Sequence, residues 1–224
     1  METKNFIKYK IYNFDFLSLK KIQDSLYASI KSYLKDKKNL KVADIGCGEK
    51  PYLQLFGDNY QEYVGMDIRK GKNVDVVVSS EDIPFSDEYF DVVLSTQVLE
   101  HTRNYQSSIS EAHRILKKGG IGFFSVPGVW EIHGAPHDYW RFTKYGLKEA
   151  FKSFDHIEIV NNGGAVLCFF QICNIYLKKL RRIPILGLLI ICIIIINNML
   201  GWYLDKLAEK YDFFVINYLV IVKK

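Results

Sequence analysis

Apolar residues near the N-terminus recur every three or four positions, which is the spacing of one face of an α-helix. The residues that keep this spacing are Leu19, Ile22, Leu26, Ile30 and Leu34. The pattern predicts an amphipathic helix over residues 18–35. We interpret it as a helix packed on the edge of a sheet, and the alternative is a lid over a binding site.

From residue 40 onward, short apolar runs alternate with segments of helical spacing. The predicted strands, in chain order, are LKVADIG, YVGMDI, VDVVVSS, FDVVLSTQ, GGIGFFSVP, DHIEIVNN and DFFVINYLVIVKK. The predicted helices between them are QSSISEAHRIL and TKYGLKEAFKSF, the second with Thr143 as its N-cap. This alternation predicts an α/β fold, in which helices cover both faces of a mostly parallel sheet.

Two strongly apolar runs, residues 165–177 and 183–196, interrupt this alternation before the last strand. The second run has 14 residues, whereas a bilayer span needs about 20, so a buried, interfacial or re-entrant helix is predicted. A single complete crossing would also leave the last strand on the wrong side of the membrane. We therefore divide the chain into a helical segment (1–39), an α/β domain (40–164 and 212–224) and an apolar helical insert (165–211).

The insert needs a partner surface, because a helix that is apolar all round must be covered. The two runs are separated by a basic cluster that suits anionic lipid headgroups: Lys178, Lys179, Arg181 and Arg182. We expect peripheral membrane contact through residues 165–204, with Ile190 and Ile194 among the lipid-facing side chains. A homodimer interface is the alternative cover, and a place in the protein core is disfavoured.

Composition narrows the class of protein further. The chain is 49% hydrophobic and 25% charged, as in ordinary globular proteins, and its net charge of +5 is dispersed, which does not favour nucleic acid as a partner. Its four cysteines have no CxxC spacing, so no metal site is expected. The N-terminus has no apolar core typical of a signal peptide, and a cytoplasmic location is expected.

The segment VADIGCG, residues 42–48, carries the most specific chemistry. A buried strand leads through Asp44 into a loop with Gly46 and Gly48, where missing side chains let a ligand lie against the backbone. The dinucleotide-binding fingerprint needs a third glycine where this chain has Pro51. Asp67 ends the second strand, where its carboxylate can accept both hydroxyls of a ribose.

Five segments in this order resemble the class I S-adenosylmethionine-dependent methyltransferases, specifically the group typified by the methyltransferase type 11 domain. They are VADIGCG, MDI, SSEDIPF, FDVVLSTQVLEHT and AHRILKKGG, and they fall within residues 40–160. The resemblance implies S-adenosylmethionine as cofactor and a doubly wound, seven-stranded Rossmann-like sheet with an antiparallel last strand. One departure is Lys50, where many relatives have a third glycine, so the loop is expected to differ in shape there.

The resemblance also implies the residues that hold the cofactor. Asp44, Gly46 and Gly48 would surround the methionine part, Asp67 the ribose, and Asp82 with Ile83 the adenine. Thr96 and Gln97 would line the floor beneath the sulfonium. Cys47 and Ile68 complete the predicted cofactor-binding set.

Methyl transfer from a sulfonium is an in-line displacement, so the protein must mainly align the reactants, and a hydroxyl acceptor also needs a base. The loop after the fifth strand holds the candidates: His137, His133 and Asp138 for catalysis, and Tyr139, Trp140 and Arg141 for the substrate. This mixture suits a sugar or another polyhydroxylated acceptor. The alternative is a rigid loop held by an Asp138–Arg141 ion pair. Glu100 and His101 are expected to brace the site.

These observations predict a methyltransferase that modifies a hydroxyl of a sugar or lipid-linked glycan at the inner face of the membrane. One rival is a C-methyltransferase of a quinone or other lipid, which the apolar insert would also fit. Another is a noncatalytic cofactor-binding assembly protein.

Overall fold

A seven-stranded sheet forms the centre of the computed structural model, which describes residues 9–181, 186–207 and 213–224. The strands are β1 (Leu40–Ile45), β2 (Tyr60–Asp67), β3 (Val76–Val77), β4 (Phe90–Thr96), β5 (Leu116–Pro127), β6 (His156–Asn162) and β7 (Asn217–Lys223). Their order is β3-β2-β1-β4-β5-β7-β6, and among these strands β7 alone runs antiparallel to the other six. The predicted fold class is confirmed.

The helices are α1 (Phe16–Tyr33), α2 (Tyr105–Ile115), α3 (Lys144–Ala150), α4 (Ala165–Leu180) and α5 (Gly187–Leu207). Thr143 caps α3 as predicted, since its hydroxyl accepts a hydrogen bond from the Gly146 N–H. The predicted third strand is much shorter than expected: only Val76 and Val77 pair with β2 at the sheet edge. The chain then leaves the sheet, and its next residues line the cavity described below.

Apolar side chains fill both faces of the sheet. On one face Ile22, Leu26 and Ile30 of α1, with Leu34 directly after the helix, form one apolar cluster with residues of β1, β4, β5 and β7. Four of the five residues of the predicted stripe therefore pack on the sheet, Leu19 is only half-buried, and none of α1 borders the cavity. The helix is a packing element rather than a lid.

The insert between β6 and β7 consists of α4 and α5, which pack on each other and on α1. The side chains of α5 that face the protein lie on one stripe: Ile190, Ile194, Asn198, Gly201 and Asp205. The expectation that Ile190 and Ile194 contact lipid was therefore wrong, because an all-apolar sequence has no period that reveals its buried side. Arg182, residues 183–185 and the predicted boundary at 211–212 lie outside the described residues, so the division of the chain stays a prediction.

The length expected for the second apolar helix was also wrong. The helix α5 continues through Asn197 and Asn198 and has 21 residues, enough to cross a membrane by length and composition, and only 22% of its most apolar 18-residue stretch is buried. The two asparagines did not end it because their side chains have partners: Asn198 donates to the Ile11 and Asn13 carbonyls, and Asn197 donates to Asn174.

Candidate active site

A cavity of about 740 Å³ opens at the carboxyl ends of β1, β2 and β4. In a doubly wound sheet this is where ligands bind, because the strand order reverses beside β1. The side chains and backbone that line it come from Ile45, Gly46, Gly48, Glu49, Met66, Asp67, Ile68, Arg69, Lys70, Gly71, Val74, Val78, Ser79, Ser80, Glu81, Ile83, Gln97, Val98, His101, Thr102, Arg103, Gly134, His137 and Tyr139. The volume is that of a small-molecule site.

The glycine loop has the backbone geometry that the sequence predicts. Gly46 has a φ of +71°, and a Cβ there would lie 2.2 Å from Cγ2 of Val98. Gly48 has a φ of +49°, and nothing lies within 4 Å of the Cβ it lacks. Gly46 is therefore needed for packing, whereas Gly48 leaves free space at the cavity wall where a ligand can approach the main chain.

Asp67 connects this loop to the end of β2. Its Oδ2 accepts a hydrogen bond from the Gly48 N–H at 3.1 Å, and its Oδ1 accepts one from the Arg69 N–H at 2.9 Å. Each carboxylate oxygen has a further lone pair to accept a ribose hydroxyl. Ile68 follows directly and is 71% exposed at the cavity wall.

Asp44 and Cys47 lie behind the wall rather than in the cavity lining. The Asp44 carboxylate is 2% exposed and accepts a hydrogen bond from the Tyr63 hydroxyl at 2.6 Å. Burial raises its pKa to about 7, although the Tyr63 hydrogen bond opposes the shift. Burial and the nearby carboxylates likewise raise the pKa of the Cys47 thiol to about 12, which excludes a reactive thiolate at neutral pH.

Lys50 keeps the left-handed backbone that a glycine would adopt, with a φ of +53°. Its side chain crosses Gly65, where an added Cβ would lie 2.3 Å from the lysine Cε. The ammonium then pairs with Asp75, whose carboxylate also accepts the Gly65 N–H. The loop therefore keeps a glycine-like turn at this position and gains an ion pair.

The structure brings some of the remaining predicted cofactor residues to the cavity. Ile83 and Gln97 line it, whereas Asp82 and Thr96 do not. The Gln97 amide group donates to the Ser125 hydroxyl at 3.2 Å. Sequence reasoning missed several lining residues; Ser79, Ser80 and Glu81 stand in the quoted SSEDIPF segment, and Arg69 and Lys70 directly follow the strand-end MDI.

The predicted catalytic and substrate residues in the loop after β5 divide into those that line the cavity and those that do not. His137 and Tyr139 line the cavity, whereas His133, Asp138, Trp140 and Arg141 do not. Arg141 donates two hydrogen bonds to Asp138, at 2.7 and 2.8 Å, and this pairing lowers the pKa of Asp138 to about 2. The indole of Trp140 donates to the Thr102 carbonyl. These contacts agree with the alternative of a rigid loop held by the ion pair, and the roles predicted for His133, Asp138, Trp140 and Arg141 stay predictions.

Glu100 and His101 hold this loop from below. The Glu100 carbonyl accepts the Tyr139 N–H at 2.8 Å, and Nδ1 of His101 lies 2.5 Å from the His137 carbonyl. The expected bracing role of the pair is thus visible in these contacts. The Glu100 side chain is fully buried, and burial raises its pKa to about 8.

The cavity fits a sulfonium nucleoside. The free space beside Gly48 admits a ligand to the backbone, and Asp67 offers a carboxylate to a ribose. The wall carries both signs of charge, since Glu49 and Glu81 line it together with Arg69, Lys70 and Arg103. S-adenosylmethionine likewise carries a sulfonium, an ammonium and a carboxylate, and opposite charges attract.

Residues 43–124 match the family described as "Methyltransferase domain". A ubiquinone biosynthesis O-methyltransferase of Pelagibacter ubique (strain HTCC1062) is 30% identical over 170 residues, which is 60% of this chain and 69% of that protein. The 25S rRNA (adenine(645)-N(1))-methyltransferase of Schizosaccharomyces pombe is 34% identical over 91 residues, 40% of this chain and 28% of that protein. Because a relative acts on RNA by its name, the absence of a nucleic-acid partner stays a prediction.

The fold is similar to that of a SAM-dependent methyltransferase from Archaeoglobus fulgidus, with a TM-score of 0.54 and 18% identity over 90% of this chain and 94% of that one. Because the sequence identity is low, this similarity supports the fold and not the function. The family match, the Pelagibacter relative and the cavity together identify the activity and the methyl donor. The chain belongs to the S-adenosylmethionine-dependent methyltransferases.

Proposed function

We propose that this methyltransferase modifies a hydroxyl group of an acceptor carried by a membrane lipid, with a lipid-linked sugar as the first candidate. One observation carries the proposal: the loop that lines the acceptor side of the cavity is joined to the apolar insert. Lys178 of α4 pairs with Glu131 of that loop at 3.1 Å. Trp130 of the loop packs against a buried cluster that includes Leu167 and Cys168 of α4, together with Leu17 and Ile216.

The insert offers a large apolar surface beside this loop. Its exposed apolar side chains are Phe169, Ile172, Tyr176, Leu180, Leu186, Leu188, Leu189, Ile196, Met199, Leu200, Tyr203, Leu204 and Leu207. Large exposed apolar patches mark interaction sites on soluble proteins. Lys179 and Arg181 at the end of α4 supply positive charge for anionic headgroups, whereas the neighbouring Lys178 is paired with Glu131.

The insert is proposed to lie on the membrane rather than to cross it. The protein-facing stripe of α5 carries Asn198 and Asp205, and Asp205 pairs with Lys21 of α1 at 2.9 Å. Such groups are held by the protein and would be costly in hydrocarbon. Both β6 and β7 also belong to one sheet, so α4 and α5 begin and end on the same side. The enzyme would then be cytoplasmic and peripheral on the inner membrane face.

His137 is the proposed base for the acceptor hydroxyl. Its Nδ1 lies 2.8 Å from the Tyr139 hydroxyl, and both side chains line the cavity. When Nδ1 donates to the tyrosine oxygen, Nε2 keeps a lone pair for the acceptor proton. Bound S-adenosylmethionine supplies an electrophilic methyl group. The protein would align the hydroxyl with it, and His137 would take the proton as the oxygen–carbon bond forms and the methyl–sulfur bond breaks, which leaves the sulfur as a neutral thioether.

The base is tested with His137→Ala. Loss of a general base lowers turnover by about 10²–10⁴-fold, while calorimetry should give an unchanged cofactor dissociation constant. The matched control is His156→Ala, because His156 is exposed at the start of β6 and does not line the cavity. Full turnover by His137→Ala would remove this residue from the mechanism.

Membrane docking is tested by flotation with phosphatidylcholine vesicles, with and without phosphatidylglycerol. The variant Leu189→Glu/Ile196→Glu should lose association, because both side chains are more than half exposed on α5. Tyr145→Glu is the control, since Tyr145 is 78% exposed on α3. Equal flotation of variant and wild type would reject the dock, and a variant that turns a dimer into a monomer in size-exclusion chromatography would favour the homodimer interface.

The acceptor class is tested by incubating the enzyme with cell-envelope extract and S-adenosylmethionine that carries a labelled methyl group. Label in the glycolipid fraction supports the proposal, and label in RNA or free sugars contradicts it. Mass spectrometry of lipids from a deletion strain should show the loss of one methyl mass. Cofactor binding without any transfer would favour the assembly-protein alternative.

A second candidate acceptor is the hydroxyl of a quinone-type ring. The Pelagibacter relative, a ubiquinone biosynthesis O-methyltransferase by name, favours it. The same experiment separates the two, because a prenylated ring extracts with neutral lipids and a glycolipid does not. A product methylated on carbon instead would support the C-methyltransferase alternative.

A further inference from the structure

Three side chains from two segments meet beside the cavity. Glu100 and His101 belong to the short helical turn Leu99–His101 after β4, and His133 lies in the loop after β5. One potential ligand atom of each lies within 4.8 Å of the others. The imidazole rings of His101 and His133 are 4.7 Å apart between centroids. The arrangement brings two imidazoles and one carboxylate to a common point.

The carboxylate at this point has no counterpart. Glu100 is 0% exposed, and within the described part of the chain neither of its side-chain oxygens has a hydrogen-bond partner. Buried carboxylates are normally paired or bound to a metal, because an isolated one loses its hydration without compensation. Arg141 is the nearby cation, but its guanidinium is held by both oxygens of Asp138. Burial raises the pKa of Glu100 and favours its neutral form, and a bound cation that replaces the proton would compensate the charge of the buried carboxylate.

Both imidazoles have the second partner that metal-binding histidines require. Nδ1 of His101 lies 2.5 Å from the His137 carbonyl, which only accepts hydrogen bonds, so Nδ1 carries the proton and Nε2 keeps its lone pair. Nδ1 of His133 lies 3.2 Å from the Glu131 carbonyl and 3.5 Å from the Asp138 carboxylate. A carbonyl or carboxylate on the distal nitrogen orients a ligating ring and raises its basicity.

We propose that Glu100, His101 and His133 bind a divalent transition-metal ion, with Zn²⁺ as the best match. Two imidazoles and one carboxylate are ligands that zinc accepts, and such a set leaves coordination positions for water or substrate. His101 itself lines the cavity, so the ion borders the space that an acceptor enters. The site would revise the expectation of no metal, which rested on the absence of CxxC spacing and of a histidine pair at a metal-ligand interval near the cysteines. It goes beyond the proposed function, because binding of the ion does not depend on the acceptor.

The test is zinc titration of the full chain after treatment with a chelator. Calorimetry should give one ion per chain, and Co²⁺ in its place should give visible d–d absorption bands of a site with fewer than six ligands. Glu100→Gln and His133→Ala should each weaken Zn²⁺ binding by at least about 10-fold. The control His156→Ala should bind as wild type does, because that residue lies at the start of β6, far along the chain from the cluster.

Folding of each variant is checked by circular dichroism and by S-adenosylmethionine titration, which reports on the glycine loop. His133→Ala keeps the test valid if Glu100→Gln fails to fold, because the His133 side chain is 34% exposed. No stoichiometric binding by the wild type overturns the proposal. So does a wild-type affinity in the folded variants, which would assign the ion to histidines elsewhere on the surface.

Discussion

The carboxylate of Asp67 accepts a hydrogen bond from the Gly48 N–H at 3.1 Å, although the two residues belong to different strand–loop junctions. The contact joins the end of β2 to the loop after β1. It holds the loop open on the side where nothing fills the space beside Gly48. Asp67 is thus held in place in the cavity wall by backbone hydrogen bonds, and its carboxylate is proposed to accept hydrogen bonds from the ribose hydroxyls.

We expect Asp67→Ala to weaken S-adenosylmethionine binding by about 10–100-fold, because hydrogen bonds to a charged group contribute about 1.5–3 kcal/mol. Isothermal titration calorimetry measures the change. Asp24→Ala is the matched control, since Asp24 lies on α1 and pairs locally with Lys20. A dissociation constant within twofold of wild type for Asp67→Ala would place the ribose elsewhere.

The two loop glycines should respond differently to alanine. Gly46→Ala places a Cβ 2.2 Å from Val98 and keeps a left-handed backbone, so it should destabilise the fold by about 2–4 kcal/mol. Gly48→Ala meets no protein atom within 4 Å, so it should cost only about 1 kcal/mol and mainly block the cofactor. Urea unfolding and calorimetry separate these effects. Val98→Ala should restore part of the stability of Gly46→Ala, and equal losses in both single variants would contradict this assignment.

How much the sequence predicts depends on whether a residue's neighbours are near it in the chain. Gly46, Gly48 and Asp67 follow predicted strands directly, so parallel strand ends bring them together in any sheet of this order. The loop after β5 is different. An aspartate and an arginine in a loop can bind a sugar or pair with each other, and the sequence does not distinguish these two arrangements. In the structure Asp138 and Arg141 pair with each other, and Tyr139 and Trp140 between them are fixed by hydrogen bonds to the carbonyls of Glu100 and Thr102.

The same limit applies to the insert and to the metal cluster. The sequence does not show which side of α5 faces the protein, because isoleucines lie on all sides of the helix. The structure shows the buried side, where Asn198 and Asp205 make polar contacts. Glu100 and His133 are far apart in the chain, and no spacing rule joins them. Their proximity follows from β4 and β5 being neighbours in the sheet.

Asp44 should make stability depend on pH. Burial raises its folded-state pKa from 3.8 to about 7, while Tyr63 and Lys50 oppose the shift and Asp67 adds to it. The folded chain therefore holds a proton that the unfolded chain releases, and the free energy of unfolding should fall as pH rises from about 4 to about 7. Asp44→Asn keeps an acceptor for the Tyr63 hydroxyl and cannot ionise. Urea unfolding of the cofactor-free protein at several pH values should give a shallower slope for the variant, and identical slopes would show that Asp44 titrates normally.

Asn198 should be the polar anchor of the insert. It is fully buried, donates to the Ile11 carbonyl at 2.6 Å and the Asn13 carbonyl at 3.0 Å, and accepts from Asn174 at 2.8 Å. Asn198→Leu removes these three hydrogen bonds and takes the acceptor Oδ1 away from the buried Asn174 amide, so we expect a loss of about 1–3 kcal/mol in the free energy of unfolding. Met199→Ala is the control on the next, exposed position, with an expected change within about 0.5 kcal/mol. If both variants unfold at the same urea concentration as wild type, α5 is not held to the N-terminal segment by these hydrogen bonds, and the orientation that exposes its apolar side to lipid loses its structural basis.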